Sequence, residues 1–220
     1  LGYVEWHSKD PLIPVKIFVS NLGFTMSSIA AMMNFSATFG VGFVLSLFLQ
    51  MIMGFDSRMT GLILCIQTGI MVFLAPRIGA LSDRYNPAQF ARWGMVLIGV
   101  GLLSMAYGTF TESMTIIMVS LAIVGIGVSC FAPPNNNLIM SSVPKTYIGF
   151  ASSTISTVRL LGQTLSMALI GVILAYTIEG RTALQMMEYN STVALVVFGV
   201  ICLVGAIPAG MRGSSKHTVN

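Results

Sequence analysis

Six long stretches of this chain carry almost no charge, and they dictate the medium in which it folds. Residues 17–55, 59–76, 93–111, 113–144 and 189–211 contain no Asp, Glu, Lys or Arg, and 146–178 contains one, Arg159. A helix needs about 20 apolar residues to cross the hydrocarbon of a bilayer. Only 8% of the chain is charged, against about 25% in soluble domains, too little to coat a surface facing water. The solvent for most of the chain is therefore lipid, where a spanning segment must satisfy its own backbone hydrogen bonds. The expected fold is all-α, a polytopic membrane protein with six spanning helices.

Residues 17–55 are long enough to hide two helices, and the distribution of basic residues decides between the readings. With six spans, Lys9, Lys16, Arg77, Arg84, Arg92, Lys145, Arg212 and Lys216 share one side, and only Arg58 and Arg181 face the other. Splitting the first stretch would move Lys9 and Lys16 across and erode that bias. The positive-inside rule thus favours one long helix and puts both termini in the cytoplasm. The expected helices are 19–50, 60–78, 90–109, 114–140, 149–178 and 192–209, inside a spanning region 18–211. Residues 1–17 form an interfacial lead-in, where the proline-flanked "PLIPVKIF" can lie as a short amphipathic segment, and 212–220 form a cytoplasmic tail. Residues 179–191 read as the longest loop on the outer side. The chain opens on Leu1 with no signal peptide before the first span, as a fragment or a trimmed piece would.

The formal charge of +4 is mostly this orientation signal, so no nucleic-acid partner is expected. Cys65, Cys130 and Cys202 fall in separate spans, which fits neither a disulfide framework nor a metal site. Glycines recur two apart within spans, as Gly40/Gly42, Gly99/Gly101 and Gly125/Gly127; small residues let helix backbones approach closely in lipid. No H-E-x-x-H, no intramembrane carboxylate pair and no Ser with a His inside a span is present, so no enzyme chemistry is expected.

The chemistry-bearing residues gather in a few places. The loop "GALSDRYNPAQFAR" at 79–92 joins the second and third spans. Gly79 there lets helix ends come close, and Asp83 can accept hydrogen bonds from a helix N-terminus or pair with an arginine, latching one conformation; the plain alternative is that Asp83 and Arg84 form a solvated turn. "FAPPNNNLIMSSVP" at 131–144 puts Pro133 and Pro134 next to Asn135, Asn136 and Asn137. The prolines remove two backbone donors. Either they kink the fourth helix into a gate, with the asparagines serving the freed carbonyls, or they end it at the interface. Arg159 is the lone charge within a span, a costly placement. It can meet an anionic substrate group or a carboxylate from elsewhere, or bind carbonyls freed by the kink. Ser27, Asn34 and Thr38 form a helical stripe on the first span. With Gln67 and Gln163 they are candidates to line a cavity or to serve as interhelical glue.

Gly79-x-Leu-Ser-Asp-Arg84 between two membrane helices resembles the signature loop of the major facilitator superfamily. The run from Phe131 through "PPNNN", "SVP", "GFAS", "TVR" and "LGQ" to Thr164 is similar to the second half of the fourteen-helix drug:proton antiporters within it. Lys145-Thr146-Tyr147 departs from the basic and acidic residues commoner there. The resemblance implies a six-helix half of two inverted three-helix units, with parallel halves enclosing a midplane site. It implies the C-terminal half of an efflux transporter for small amphipathic compounds, completed by an N-terminal half, in the plasma membrane of a bacterium. No span holds Asp or Glu, and His7 and His217 lie at the ends. The resemblance accounts for this by placing the proton-coupling carboxylates mainly in the other half; no cofactor beyond a proton gradient is implied. The contrasting expectation, of another class, is a stand-alone six-helix protein that self-associates or regulates without transporting. Residues 12–111 and 112–211 show no convincing match to each other.

Overall fold

In lipid no water stands by to satisfy a peptide group, and the chain answers with helix almost throughout. The computed structural model describes residues 21–82, 84–177, 180 and 182–210. Its helices are α1 (Leu22–Met51), α2 (Ser57–Ser82), α3 (Pro87–Phe110), α4 (Met114–Ser141), α5 (Ile148–Ala175) and α6 (Ala183–Gly210), with a 3-10 turn at Lys145–Tyr147 ahead of α5. All six are long and apolar enough to cross a membrane. The first charge-free stretch is one helix, of 30 residues and so about 45 Å long at 1.5 Å per residue.

Local chemistry starts several of these helices. Asn21 caps α1, its side-chain oxygen accepting from Phe24 N at 3.0 Å. Asp56 accepts from Met59 N ahead of α2, and Asn86 accepts from Ala88 N with Pro87 in the first turn of α3. Side-chain caps of this kind satisfy the orphan N–H groups of a first turn. At α6 the sequence-based boundary is corrected. The helix begins at Ala183, not 192, so most of the expected outer loop is helical. Thr182 and Gln185 form a capping box there: Gln185 Oε1 accepts from Thr182 N at 3.1 Å, and Thr182 Oγ1 accepts from Gln185 N. Asn190, buried two turns on, donates to Tyr176 O at 3.2 Å. The charge-free stretch that marked this span began only at 189, because Glu188 lies within the helix without breaking it.

Helices α1, α3, α4 and α6 supply nearly all of the main core, around Phe48, Leu102, Leu121 and Phe198; α2 and α5 add only Ile63 and Ile170. The principal packing pairs are α3 with α4, α3 with α6, α1 with α6, α1 with α5, and α2 with α4. Exchanging α1 with α4, α2 with α5 and α3 with α6 maps this set onto itself, the pattern of two inverted three-helix units.

The repeat that the two sequence halves hide survives at one crossing. A Cβ on Gly99 would lie 2.7 Å from the Leu203 side chain, and one on Gly199 would lie 3.0 Å from Leu103. Each glycine thus receives the leucine four residues beyond the other. The seam between α3 and α4 uses the same device: a Cβ on Gly94 would stand 2.7 Å from Phe131 N, and one on Gly127 would stand 2.8 Å from Ile98 N. The glycine pairs divide their duties, because residues two apart on a helix point to roughly opposite faces. Gly99 faces α6 and Gly101 faces α4; Gly125 faces α2 and Gly127 faces α3; Gly40 faces α5, whereas Gly42 meets nothing within 4 Å.

Candidate functional site

Arg77, Arg84, Arg92 and Lys145 lie at the bundle end where α2, α4 and α6 finish and α3 and α5 begin, called here the basic end. Two of the sequence motifs meet there. Helix α2 carries Gly79 in its last turn, and the buried Ser82 hydroxyl donates to Gly79 O at 2.8 Å, tightening the helix end. A Cβ on Gly79 would meet Pro133 of α4 at 3.5 Å, ordinary contact, so space alone does not require glycine there. Arg84 is exposed, with its amide donating to Leu81 O. Asp83, the proposed latch carboxylate, lies outside the described residues.

Helix α4 runs through Pro133 and Pro134 to Ser141. The prolines therefore do not end it, and the reading in which they do is corrected. A helix tolerates them at membrane depth when neighbours cover the backbone they disturb. On one side α3 does so, Gly94 letting its backbone reach the turn at Cys130 and Phe131; Asn135, buried, donates instead to Ser27 O of α1 at 3.2 Å. Asn135 thus serves a neighbouring helix. Two turns later Asn21, ahead of α1, donates to Ser142 O, and Phe24 stacks on Phe150 of α5 with ring centroids 5.9 Å apart. Asn136 is half-buried and Asn137 exposed. A pocket of about 480 Å³ lies between the loop after α2 and the end of α4, lined by Ser82, Pro87, Asn137, Leu138, Met140 and Ser141.

The intramembrane candidates separate. Asn34 points into the bundle, 98% buried, with its amide 3.6 Å from the Met95 sulfur of α3. Thr38 donates back to Asn34 O at 2.8 Å. Ser27 is fully buried, and its hydroxyl finds no partner among the described residues. Gln67 and Gln163 are half-buried on α2 and α5. Arg159 is exposed on α5, and its guanidinium carbon sits 5.0 Å from the centre of the Phe35 ring of α1. A cation over a ring face gains from the ring quadrupole, so Phe35 of α1, and not a carbonyl of α4, is the described group against this charge. The described carboxylates, Asp56, Glu112 and Glu188, all lie toward the opposite end of the bundle.

Sequence reasoning missed the company Arg159 keeps. Ser152, Ser153, Ser156, Thr157 and Thr164 are exposed on α5 around it. The last four return their hydroxyl protons to carbonyls three or four residues back, which leaves oxygen lone pairs outward. The signal was in the sequence as hydroxyls three and four apart.

Six long apolar helices among the described residues, packed as two inverted triplets, give the chain the form of a multi-pass membrane protein. The model of the Major Facilitator Superfamily matches residues 5–167, and the chain belongs to that superfamily. It is 27% identical over 168 residues to a riboflavin transporter of Clostridioides difficile, covering 76% of this chain and 37% of that protein. It is 27% identical over 202 residues to an uncharacterized transporter of Escherichia coli, covering 92% of this chain and 42% of that protein. A multidrug resistance protein of Mycobacterium tuberculosis is 25% identical over 173 residues, 79% of this chain and 32% of its own length. These relatives are transporters, not enzymes, and several carry multidrug efflux or resistance names. The chain spans about a third to two fifths of the length of the curated relatives it matches.

Proposed function

We propose that this chain forms the C-terminal half of a proton-coupled efflux transporter for small amphipathic organic compounds. Multidrug names among the relatives favour that cargo class. The observation that carries the reading is the outward face of α5. It presents Arg159 and a run of hydroxyls within a membrane span, a surface that lipid tails accept poorly and that a second protein half or a water-filled pathway accepts well. An N-terminal half, on the same or a separate chain, covers that face and closes a cavity. Protons bind at carboxylates of that half, and the halves rock about the site. The basic end faces the cytoplasm of a bacterial plasma membrane. At this end Gly79, Asp83 and Arg84 latch the cytoplasm-closed state, and the proline turn of α4, held by Asn135 and Ser27, acts as the hinge of the gate.

Expression with and without an N-terminal half, followed by dye efflux from loaded cells, tests the reading. Efflux is expected only with both halves; efflux by this chain alone overturns it. No efflux in either case, with a stable dimer of this chain, supports self-association through α5 instead. In the complete transporter Asp83→Asn is expected to lower efflux at unchanged membrane insertion, and unchanged efflux removes the latch.

A further inference from the structure

We propose that the bundle end opposite the basic one carries a binding site for an ammonium group, between the last turn of α3 and the first turns of α6. A cavity of about 670 Å³ opens there, lined by Phe110, Gln185, Glu188, Tyr189, Thr192 and Val193. This size lies within the range of small-molecule sites. The inference does not depend on the half-transporter reading.

Two of the polar lining groups are engaged by neighbours of known identity. Gln185 Oε1 is held by Thr182 N in the capping box. The Thr192 hydroxyl is shared between Thr109 Oγ1 at 3.1 Å and Glu188 O at 3.0 Å. Among the described lining residues the Glu188 carboxylate is the one formal charge, and none of them is cationic. Arg58, a described cation at this end, starts α2, which packs on α4. Two rings complete the walls: Phe110 is 68% exposed and Tyr189 41% exposed.

A carboxylate and two aromatic rings lining one cavity suit an ammonium. Rings attract a cation through their quadrupoles, and the carboxylate supplies the counter-charge. One helix end assists. Phe110 closes α3, whose C-terminal dipole favours a cation. A lipid headgroup and a free organic ammonium present the same group, and both fit the volume.

The test uses the purified protein in nanodiscs of phosphatidylglycerol. Phe110→Trp keeps an aromatic wall and adds a local fluorescence reporter; unsubstituted protein supplies the background of Trp6 and Trp93. Titration with choline is expected to change the reporter's emission saturably. The neutral isostere 3,3-dimethylbutanol is expected to act at least tenfold more weakly, and Glu188→Gln in the reporter protein is expected to weaken choline tenfold or more. Tyr189→Leu is expected to reduce the preference for choline over the isostere. Equal response to choline and the isostere, or an unchanged choline titration in Glu188→Gln, overturns the site, and the first comparison needs no further variant to fold. Adding phosphatidylethanolamine to the discs separates the sources: competition with choline assigns a lipid headgroup, and no competition assigns a free ammonium solute. No response to either removes the proposal.

Discussion

Helices α2 and α5 occupy equivalent places in the two triplets, yet they show the membrane different faces. Each packs chiefly on one central helix, α2 on α4 and α5 on α1, and each adds one residue to the main core. The outward side of α2 carries Leu62, Val72 and Phe73, which lipid or apolar protein covers without cost. The outward side of α5 is divided along its length. Arg159 and most of the exposed hydroxyls occupy the half nearer the basic end, and Leu165, Met167 and Val172 occupy the other with Thr164. Equivalence in packing therefore does not carry equivalence in surroundings. The seam toward the bundle is set by small residues, and the outer face is free to differ.

The largest expected effect tests the seam. Gly162→Leu would drive a side chain against Met32 O, which lies 2.7 Å from the Cβ position, whereas Gly69 on α2 has nothing within 4 Å. Overpacking costs about 1–3 kcal/mol. Thermal unfolding in detergent should show Gly162→Leu clearly destabilised and Gly69→Leu close to the parent; two similar melts would mean the α1–α5 seam is misplaced. The next effect concerns transport by the complete protein. Arg159→Met should cut dye efflux tenfold or more with insertion intact, and Phe73→Ala on α2 should leave it nearly unchanged. Wild-type efflux by Arg159→Met removes any substrate or coupling role for that charge.

Smaller still is the expected difference in water access. In the complete protein a membrane-impermeant maleimide should label Ser156→Cys on α5 several-fold faster than Val72→Cys on α2; equal rates would erase the contrast between the two faces. The smallest effect is on the Arg159 stack. Phe35→Ala removes a cation–π contact worth about 1 kcal/mol and should increase modification of Arg159 by phenylglyoxal, with a stability loss from the missing ring. Unaltered modification would show that the ring does not restrain the guanidinium.

Much of the site was legible one motif at a time and illegible as an arrangement. The 79–92 loop and the "PPNNN" run each stood out by composition, but nothing in their spacing placed Pro133 beside Gly79 or Asn135 beneath Ser27. Asn34 illustrates the difficulty. Its helical spacing to Ser27 and Thr38 suggested a cavity face, and the structure turns it inward to Met95. A polar stripe in a soluble helix marks the wet side. Inside a membrane it marks only a side that is not lipid, and that side can be packed protein.

Residue order alone determined the number of helices, their alternating direction and most of their ends, because charge-free length and caps act locally and need no partner. The tertiary structure decided which glycine serves which neighbour, which helices form the core, and that Arg159 rests on Phe35. The physical reason is that lipid tails and a protein interior are equally apolar. Hydropathy separates membrane from water and cannot separate one apolar side of a helix from the other; only the fit of glycine against a neighbouring backbone does that.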